Sequence, residues 1–219
     1  MDETRRRAVT GLAGLLIAGA APAPASSAGT RQGGTDLDAR VRAFLESRRG
    51  GWHDLNVSHA DGQALHDLIV SRGFRRGLEI GTSTGHSTVW IAWAMSGTGG
   101  HLTTLEIDPG RHRVALENLA AAGLDGYVDA ELADAHERVP LLEGRFDFVF
   151  SDADKEWYTR YFVELDSRLE PGGCFTAHNV LQRMRGIPEF LEHVRGRTDY
   201  ETRIERSSAA GISVSCKIP

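Results

Sequence analysis

Four short stretches of this 219-residue chain hold residues able to do chemistry, and their spacing points to one shared site. The first is Gly81-Thr82-Ser83-Thr84-Gly85-His86-Ser87. Glycines let backbone approach a ligand closely, and a helix starting there offers unpaired N–H groups to an anion such as a carboxylate. The spacing is Gly-x-x-x-Gly rather than the Gly-x-Gly-x-x-Gly of dinucleotide binders, and a plain tight turn explains it equally well. The second is Glu106, twenty-five positions after Gly81, where an acid can accept both ribose hydroxyls of a nucleoside. Together these two favour an adenosine-containing ligand. The third is Ser151-Asp152-Ala153-Asp154-Lys155 and the fourth is His178-Asn179. Any one of these groups could be a cap or a solvated loop residue. Arriving together beside a nucleoside pocket, they read as a reaction centre.

Convergence requires elements that deliver all four stretches to one place. Apolar runs at 77–80, 102–107, 128–132, 146–151 and 174–177 read as buried strands, and amphipathic segments lie near 86–96, 110–122, 135–143 and 156–169. This alternation predicts an α/β fold, a parallel sheet with helices on both faces. The ligand edge of such a sheet is formed by the carboxyl ends of its strands, and each chemical stretch stands at or just past the end of one. Two helices are expected earlier. One starts at 35 with Asp36 as cap and Leu37, Val41, Phe44 and Leu45 inward, and stops at Gly50-Gly51. The other covers 61–71 with Ala64, Leu65, Leu68, Ile69 and Val70 inward. A last helix over 187–194 precedes strands at 200–204 and 211–216, whose hairpin-length join makes the final strand antiparallel.

The first thirty residues read differently. Arg5-Arg6-Arg7 leads into an apolar run from Gly11 to Ala21, followed by small-residue sites at Ala21-Pro22-Ala23 and Ser26-Ser27-Ala28. The run falls short of the roughly twenty residues a spanning helix needs, so no stable membrane span is expected. The pattern is that of a twin-arginine-like export signal, which places the mature chain in the periplasm or outside the cell. A disordered extension or a packed helix on a cytoplasmic protein is the alternative. Residues 1–30 are therefore set apart as leader, and 31–219 as one domain, with N-terminal helices over 31–72 and the core over 73–219.

Composition narrows the partners. Forty-one per cent hydrophobic and 25% charged residues describe a globular chain, and a net charge of −5 without a basic patch excludes a nucleic-acid footprint. Two cysteines are too few for a disulfide scaffold or a CxxC metal site.

The same residues resemble the class I S-adenosylmethionine-dependent O-methyltransferases of the catechol and caffeoyl-CoA type, over 56–217. Asn56-Val57-Ser58 resembles the segment covering the methionine end of the cofactor. Leu78-Glu79-Ile80-Gly81 through Ser87 resembles the glycine motif, Leu105-Glu106-Ile107-Asp108 the ribose-binding strand end, and Ala133-Asp134-Ala135 the turn that meets the adenine. Phe146 through Lys155 is the most specific match. The resemblance implies a Rossmann-like seven-stranded sheet, order 3-2-1-4-5-7-6, with strand 7 antiparallel. It implies S-adenosylmethionine as cofactor, bound by Val57, Glu79, Gly81, Ser83, Gly85, Ser87, Glu106, Asp134, Ala135 and Asp152. It further implies a small-molecule hydroxyl acceptor, phenolic or catechol-like, with Asp152, Lys155, His178 and Asn179 as catalytic residues and Lys155 in the place of a base. A homodimer is compatible with it.

One departure stands out. The family usually carries Asp-Asn after strand five, completing a divalent-cation site, and this chain carries His178-Asn179. An imidazole suits Mg²⁺ poorly, since that ion prefers hard oxygen ligands. Either a softer metal is held by Asp152, His178 and Asn179, or the enzyme is metal-independent with His178 as base or substrate-orienting group. A catalytically impaired S-adenosylmethionine-binding protein and a Rossmann-fold NAD(P)-dependent oxidoreductase are the competing functions. In the family's strand order Cys174 and Cys216 lie on neighbouring antiparallel strands, which permits a disulfide outside a reducing cytosol. The stretch over 180–187 looks short, implying an open acceptor site that Met184 and Trp157 could line. His53, His59, His66, His101, His112 and His193 lack ligand spacing and are expected at the surface or as caps.

Overall fold

Seven strands in the order β3-β2-β1-β4-β5-β7-β6 form the sheet in this computed structural model, which describes residues 29–219. They are β1 (Arg76–Ile80), β2 (His101–Glu106), β3 (Val128–Leu132), β4 (Phe146–Ser151), β5 (Leu169–His178), β6 (Tyr200–Glu205) and β7 (Ile212–Lys217). The helices are α1 (Gly29–Ser47), α2 (His59–Arg72), α3 (His86–Thr98), α4 (Pro109–Ala122), α5 (Ala135–Arg138), α6 (Tyr158–Asp166) and α7 (Ile187–Gly196). The expected leader lies outside the described residues, save for its last two positions, which open α1. Strands β1 to β5 pair in parallel, and β7 runs antiparallel to both β5 and β6, as the hairpin-length join requires. Strand order reverses at β1, which has β2 on one side and β4 on the other. The carboxyl ends of these three strands therefore flank a crevice.

Local chemistry sets the element ends. The Ser58 hydroxyl accepts from the Asp61 N–H to start α2, and Gly73 closes that helix in the left-handed region. Asp108 caps α4 with Pro109 in its first turn. Each sheet face then buries its own core. Phe148 and Phe150 point to the side covered by α1 to α4, whereas Leu78, Ile80 and Val149 point to the side of α6 and α7. Helix α3 is buried along most of its length because α2 covers the side that the sheet does not.

Several boundaries differ from expectation. Helix α1 begins before residue 35, so Asp36 lies inside it and caps nothing. Val70 is about half exposed, on the outer side of α2, while Leu65, Leu68 and Ile69 are buried. The segment over 135–143 is one helical turn followed by a 3-10 turn, since Pro140 has no N–H to continue the ladder. Strand β5 starts at Leu169 and reaches its main pairing only after a register shift against β4.

Cys174 and Cys216 are register partners on β5 and β7, and they are joined by a disulfide. Among the described residues no helix is long and apolar enough to cross a membrane. The bridge spans a sequence separation of 42 residues, and loop-closure entropy for a span of that size is worth about 4 kcal/mol. Replacing both cysteines with alanine should lower unfolding stability by about 2–4 kcal/mol, read as an earlier midpoint in urea with a larger m-value, because the unbridged unfolded chain exposes more surface.

Candidate active site

The crevice is built from the strand ends outward. Gly81 leaves β1 with φ 101°, and a Cβ there would stand 2.9 Å from the Ala153 nitrogen, so only glycine lets this turn pass against the one after β4. From that turn the Ser83 N–H donates to Glu106 Oε2 at 2.7 Å, while the Asp108 N–H donates to Oε1 at 2.9 Å. Both carboxylate oxygens are thereby oriented, and each keeps a lone pair for a hydroxyl. Gly81, Ser83, Glu106, Asp134, Ala135 and Asp152 line this first cavity, as the sequence predicts. Val57, Glu79, Gly85 and Ser87, expected at the same ligand, do not line it and shape it from behind. Glu79 turns to the buried side of β1, where the Thr88 and Thr104 hydroxyls donate to its Oε2, each at 2.6 Å. Burial pushes its pKa up to about 7 against the pull of the Ser87, Thr104 and Thr88 hydrogen bonds.

A cover closes the cavity from the α1–α2 connection. Asp54 and Leu55 both adopt positive φ, a strained pair for non-glycine residues. The Arg111 guanidinium holds them by donating to both Asp54 carboxylate oxygens at 2.9 and 2.8 Å, and Asn56 Nδ2 donates to Thr84 Oγ1 at 2.7 Å. Val57 is buried beneath, and its carbonyl lies 2.9 Å from His86 Nδ1. Leu55 is left overhanging the cavity mouth. Leu55 and Arg111 carry no motif signal, and neither they nor the lining His136 and Tyr161 were foreseen from the sequence.

On the far side of Asp152 and Ala153 lies a second cavity, lined by Asn56, Lys155, Asn179, Gln182, Met184 and Arg185. Leu55 and Asp152 border both spaces, so the two meet there. The 180–187 stretch can press against the Lys155 turn because residue 186 is glycine. A Cβ at Gly186 would fall 2.3 Å from the Lys155 carbonyl oxygen. Met184 lines the cavity as expected, but Trp157 faces away and stacks on His136 at 3.9 Å.

Four charged side chains meet where the cavities join. Lys155 Nζ donates to Asp152 Oδ1 at 2.6 Å, Asp152 Oδ2 lies 3.1 Å from His178 Nδ1, and His178 Nε2 lies 3.1 Å from Asp61 Oδ2. Burial alone would lower the His178 pKa, yet the hydrogen bonds to Asp152 and Asp61 outweigh it and push it up to about 9. Burial would likewise raise Asp61, but hydrogen bonds from His178, Ser208, Ser207 and Ser58 hold its carboxyl well below the usual range. Two expectations change. A carboxylate faces each ring nitrogen of His178, so both nitrogens donate and neither keeps a lone pair to act as base. The Asp152, His178 and Asn179 set fits a metal poorly as well, since both ring nitrogens face carboxylates and Asp152 is already paired with the Lys155 ammonium. Among the described residues no other group of His, Cys, Asp or Glu is arranged to hold one. Asp61, 117 residues from His178, was missed because Ser58-x-x-Asp61 reads as an ordinary helix start.

Known proteins resemble this chain in sequence and in fold. The O-methyltransferase family model matches residues 38–188. Catechol O-methyltransferase of Niastella koreensis is 35% identical over 160 residues, which is 71% of this chain and 72% of that protein. Catechol O-methyltransferase of Mycobacterium tuberculosis is 38% identical over 151 residues, 67% of each chain. Among solved structures, the O-methyltransferase TomG from Streptomyces achromogenes, in complex with SAM, superposes with a TM-score of 0.71 at 27% identity, covering 82% of this chain and 90% of its own. The oxidoreductase alternative is set aside by these matches.

The charge network makes stability depend on pH. His178 rises from 6.5 to about 9 on folding, so its stabilisation is complete below 6.5 and is lost as pH climbs through 9. At about 1.4 kcal/mol per pKa unit this amounts to about 3 kcal/mol. Urea unfolding of the wild type should weaken by that order between pH 6.5 and 9.5, and Asp61→Asn should flatten the slope.

Proposed function

The chain belongs to the S-adenosylmethionine-dependent O-methyltransferase family, and from that premise we propose that it methylates a hydroxyl of a small phenolic or catechol-like acceptor. In this reading Glu106 takes the ribose hydroxyls, the Asp134-Ala135 turn takes the adenine, and Gly81, Ser83 and Asp152 take the methionine portion. The oriented Glu106 carboxylate and the close backbone pass at Gly81 fit such a ligand. Bound there, S-adenosylmethionine supplies an electrophilic methyl group on a sulfonium sulfur.

The observation carrying the acceptor assignment is the meeting of two cavities at Asp152, with Lys155 on the acceptor side. The acceptor oxygen forms the new C–O bond as the S–CH₃ bond breaks with its electron pair left on sulfur, and the hydroxyl proton departs to solvent. Lys155 is ion-paired with Asp152, so its part is to hold the acceptor oxygen as an anion by charge rather than to remove its proton. Leu55 and Met184 offer apolar contact to a flat ring, and Asn56, Asn179 and Gln182 offer hydrogen bonds to its hydroxyls. Alignment of the oxygen behind the methyl group supplies much of the rate.

The reading includes export. The leader pattern and the buried disulfide support it, because such a bridge persists where glutathione and thioredoxin do not keep thiols reduced.

Two variants separate binding from chemistry. Glu106→Ala removes two charged hydrogen bonds to ribose and should weaken S-adenosylmethionine binding by about 10- to 100-fold in calorimetry. Lys155→Met should leave that affinity intact while lowering kcat for methylation of catechol by about 100-fold. Failure to transfer a radiolabelled methyl to any member of a phenol and catechol panel, with the cofactor demonstrably bound, would overturn the acceptor assignment.

A further inference from the structure

Asp61, His178, Asp152 and Lys155 carry charges that cancel, and the middle of this chain is sealed from solvent, with Asp61 at 0% and His178 at 5% exposure. Hydrogen-bond chemistry fixes the state of the ring. A neutral imidazole has one N–H and one lone pair, so a ring facing a carboxylate at each nitrogen donates from both only as the imidazolium. His178 faces Asp152 through Nδ1 and Asp61 through Nε2, each at 3.1 Å. Asp61 is itself surrounded by donors. The hydroxyls of Ser58, Ser207 and Ser208 reach it at 2.8, 2.7 and 2.7 Å, drawing on the start of α2 and the β6–β7 turn.

We infer that the His178 imidazolium is a protein-borne cation standing in place of a divalent metal ion beside Asp152, and that Asp61 is the positioning residue that holds it there. The inference rests on the O-methyltransferase reading and adds that transfer proceeds without a divalent ion. A divalent ion would have to stand against two cations already paired with this carboxylate, Lys155 at Oδ1 and the His178 ring at Oδ2, and would find an imidazole with no free nitrogen where a hard oxygen ligand is needed. Displacing the ring would also strand the Asp61 carboxylate, buried, without its cation. The reverse holds as well: an Asp at position 178 would crowd three carboxylates together, so Asp61 and His178 suit each other and not a metal pair. His178 borders the acceptor cavity, but both of its nitrogens are turned to carboxylates. Its effect is to neutralise Asp152 and fix that carboxylate where the two cavities join, which in turn aims Lys155 into the acceptor cavity.

The test uses the full chain with S-adenosylhomocysteine bound. Calorimetric titration with MgCl₂, CaCl₂ and MnCl₂ should give no saturable heat at millimolar concentration, and methyl transfer to catechol should survive EDTA. His178→Asp should acquire a saturable Mg²⁺ or Mn²⁺ heat and a melting temperature raised by the same ion. Asp61→Asn should lower kcat about tenfold with the KM for S-adenosylmethionine nearly unchanged, and Asp61→Glu should recover part of it, a split that simple destabilisation does not produce. Divalent-ion binding by the wild type, loss of transfer in EDTA restored by Mg²⁺, or wild-type kcat in Asp61→Asn would each overturn the inference. Should His178→Asp not fold, the wild-type titration decides. That titration needs no turnover, so a chain that methylates no acceptor defeats the acceptor reading while the metal question is still answered.

Discussion

Charges removed from water at the crevice must cancel within it, and the arrangement of the active edge follows from this constraint. Leaving one member of a buried ion pair without its partner costs about 3–5 kcal/mol, a large share of a domain's net stability. Asp61 comes from α2, Asp152 and Lys155 follow β4, His178 ends β5, and the serines that hold Asp61 come from the β6–β7 turn. Four segments distant in sequence are thus bound to a common position by electrostatics rather than by apolar contact alone. The N-terminal helices are docked on the core by the same device, because α2 brings the anion that the imidazolium needs.

Around this anchor the site divides into two sides that share a wall. Asp152 and Ala153 form that wall, and the approach of Gly81 to Ala153 keeps it thin. Gly186 does the equivalent on the acceptor side, where any side chain would push the 180–187 stretch off the Lys155 turn. The cover at Asp54 and Leu55 holds two consecutive non-glycine residues at positive φ, and the other such residues among those described, Ser83 and Asn179, stand singly beside the same two cavities. The cover is over-determined by the Arg111 and Asn56 contacts, as strained segments at functional sites generally are. Strain is therefore concentrated where both reactants must be enclosed.

The parallel sheet and the residues at its ligand edge were legible in the sequence for a physical reason, whereas the strand order came from the family resemblance. Parallel strands are buried on both faces and read as apolar runs, and the residues after them fall at the ligand edge whatever the helices do. Gly81, Ser83, Glu106 and Asp152 were accessible that way, and Asp134 and Ala135 through the resemblance. Glu79 and Ser87 were misplaced because a motif gives proximity in sequence but not the direction of a side chain, and β1 turns Glu79 inward. Helix limits were least legible, since Pro140 and the register shift at β5 act against the apolar periodicity that located those segments. Asp61 and Arg111 could not be found at all, because their function consists of a contact with a residue far along the chain. The surroundings of His178 were hidden for the same cause: at its reference pKa a histidine suggests a base, an orienting group or a ligand, and the second carboxylate beside it is supplied by α2.

The disulfide belongs to the same argument. Cys174 and Cys216 pair four residues before the end of β5 and near the end of β7, while the far end of that strand pair carries His178 and leads into the turn with Ser207 and Ser208. Strands β5 and β7 are therefore fastened covalently at one end, and at the other by Asp61, which accepts from the imidazolium on β5 and from both serines before β7. A shift of one strand against the other would have to break the ladder between two fixed points. Precise placement of an imidazolium in a dry site tolerates little such slippage, since a displacement of about an ångström converts a charge-assisted hydrogen bond into an unpaired buried charge. The bridge thus supports the position of His178 as well as the stability of the sheet.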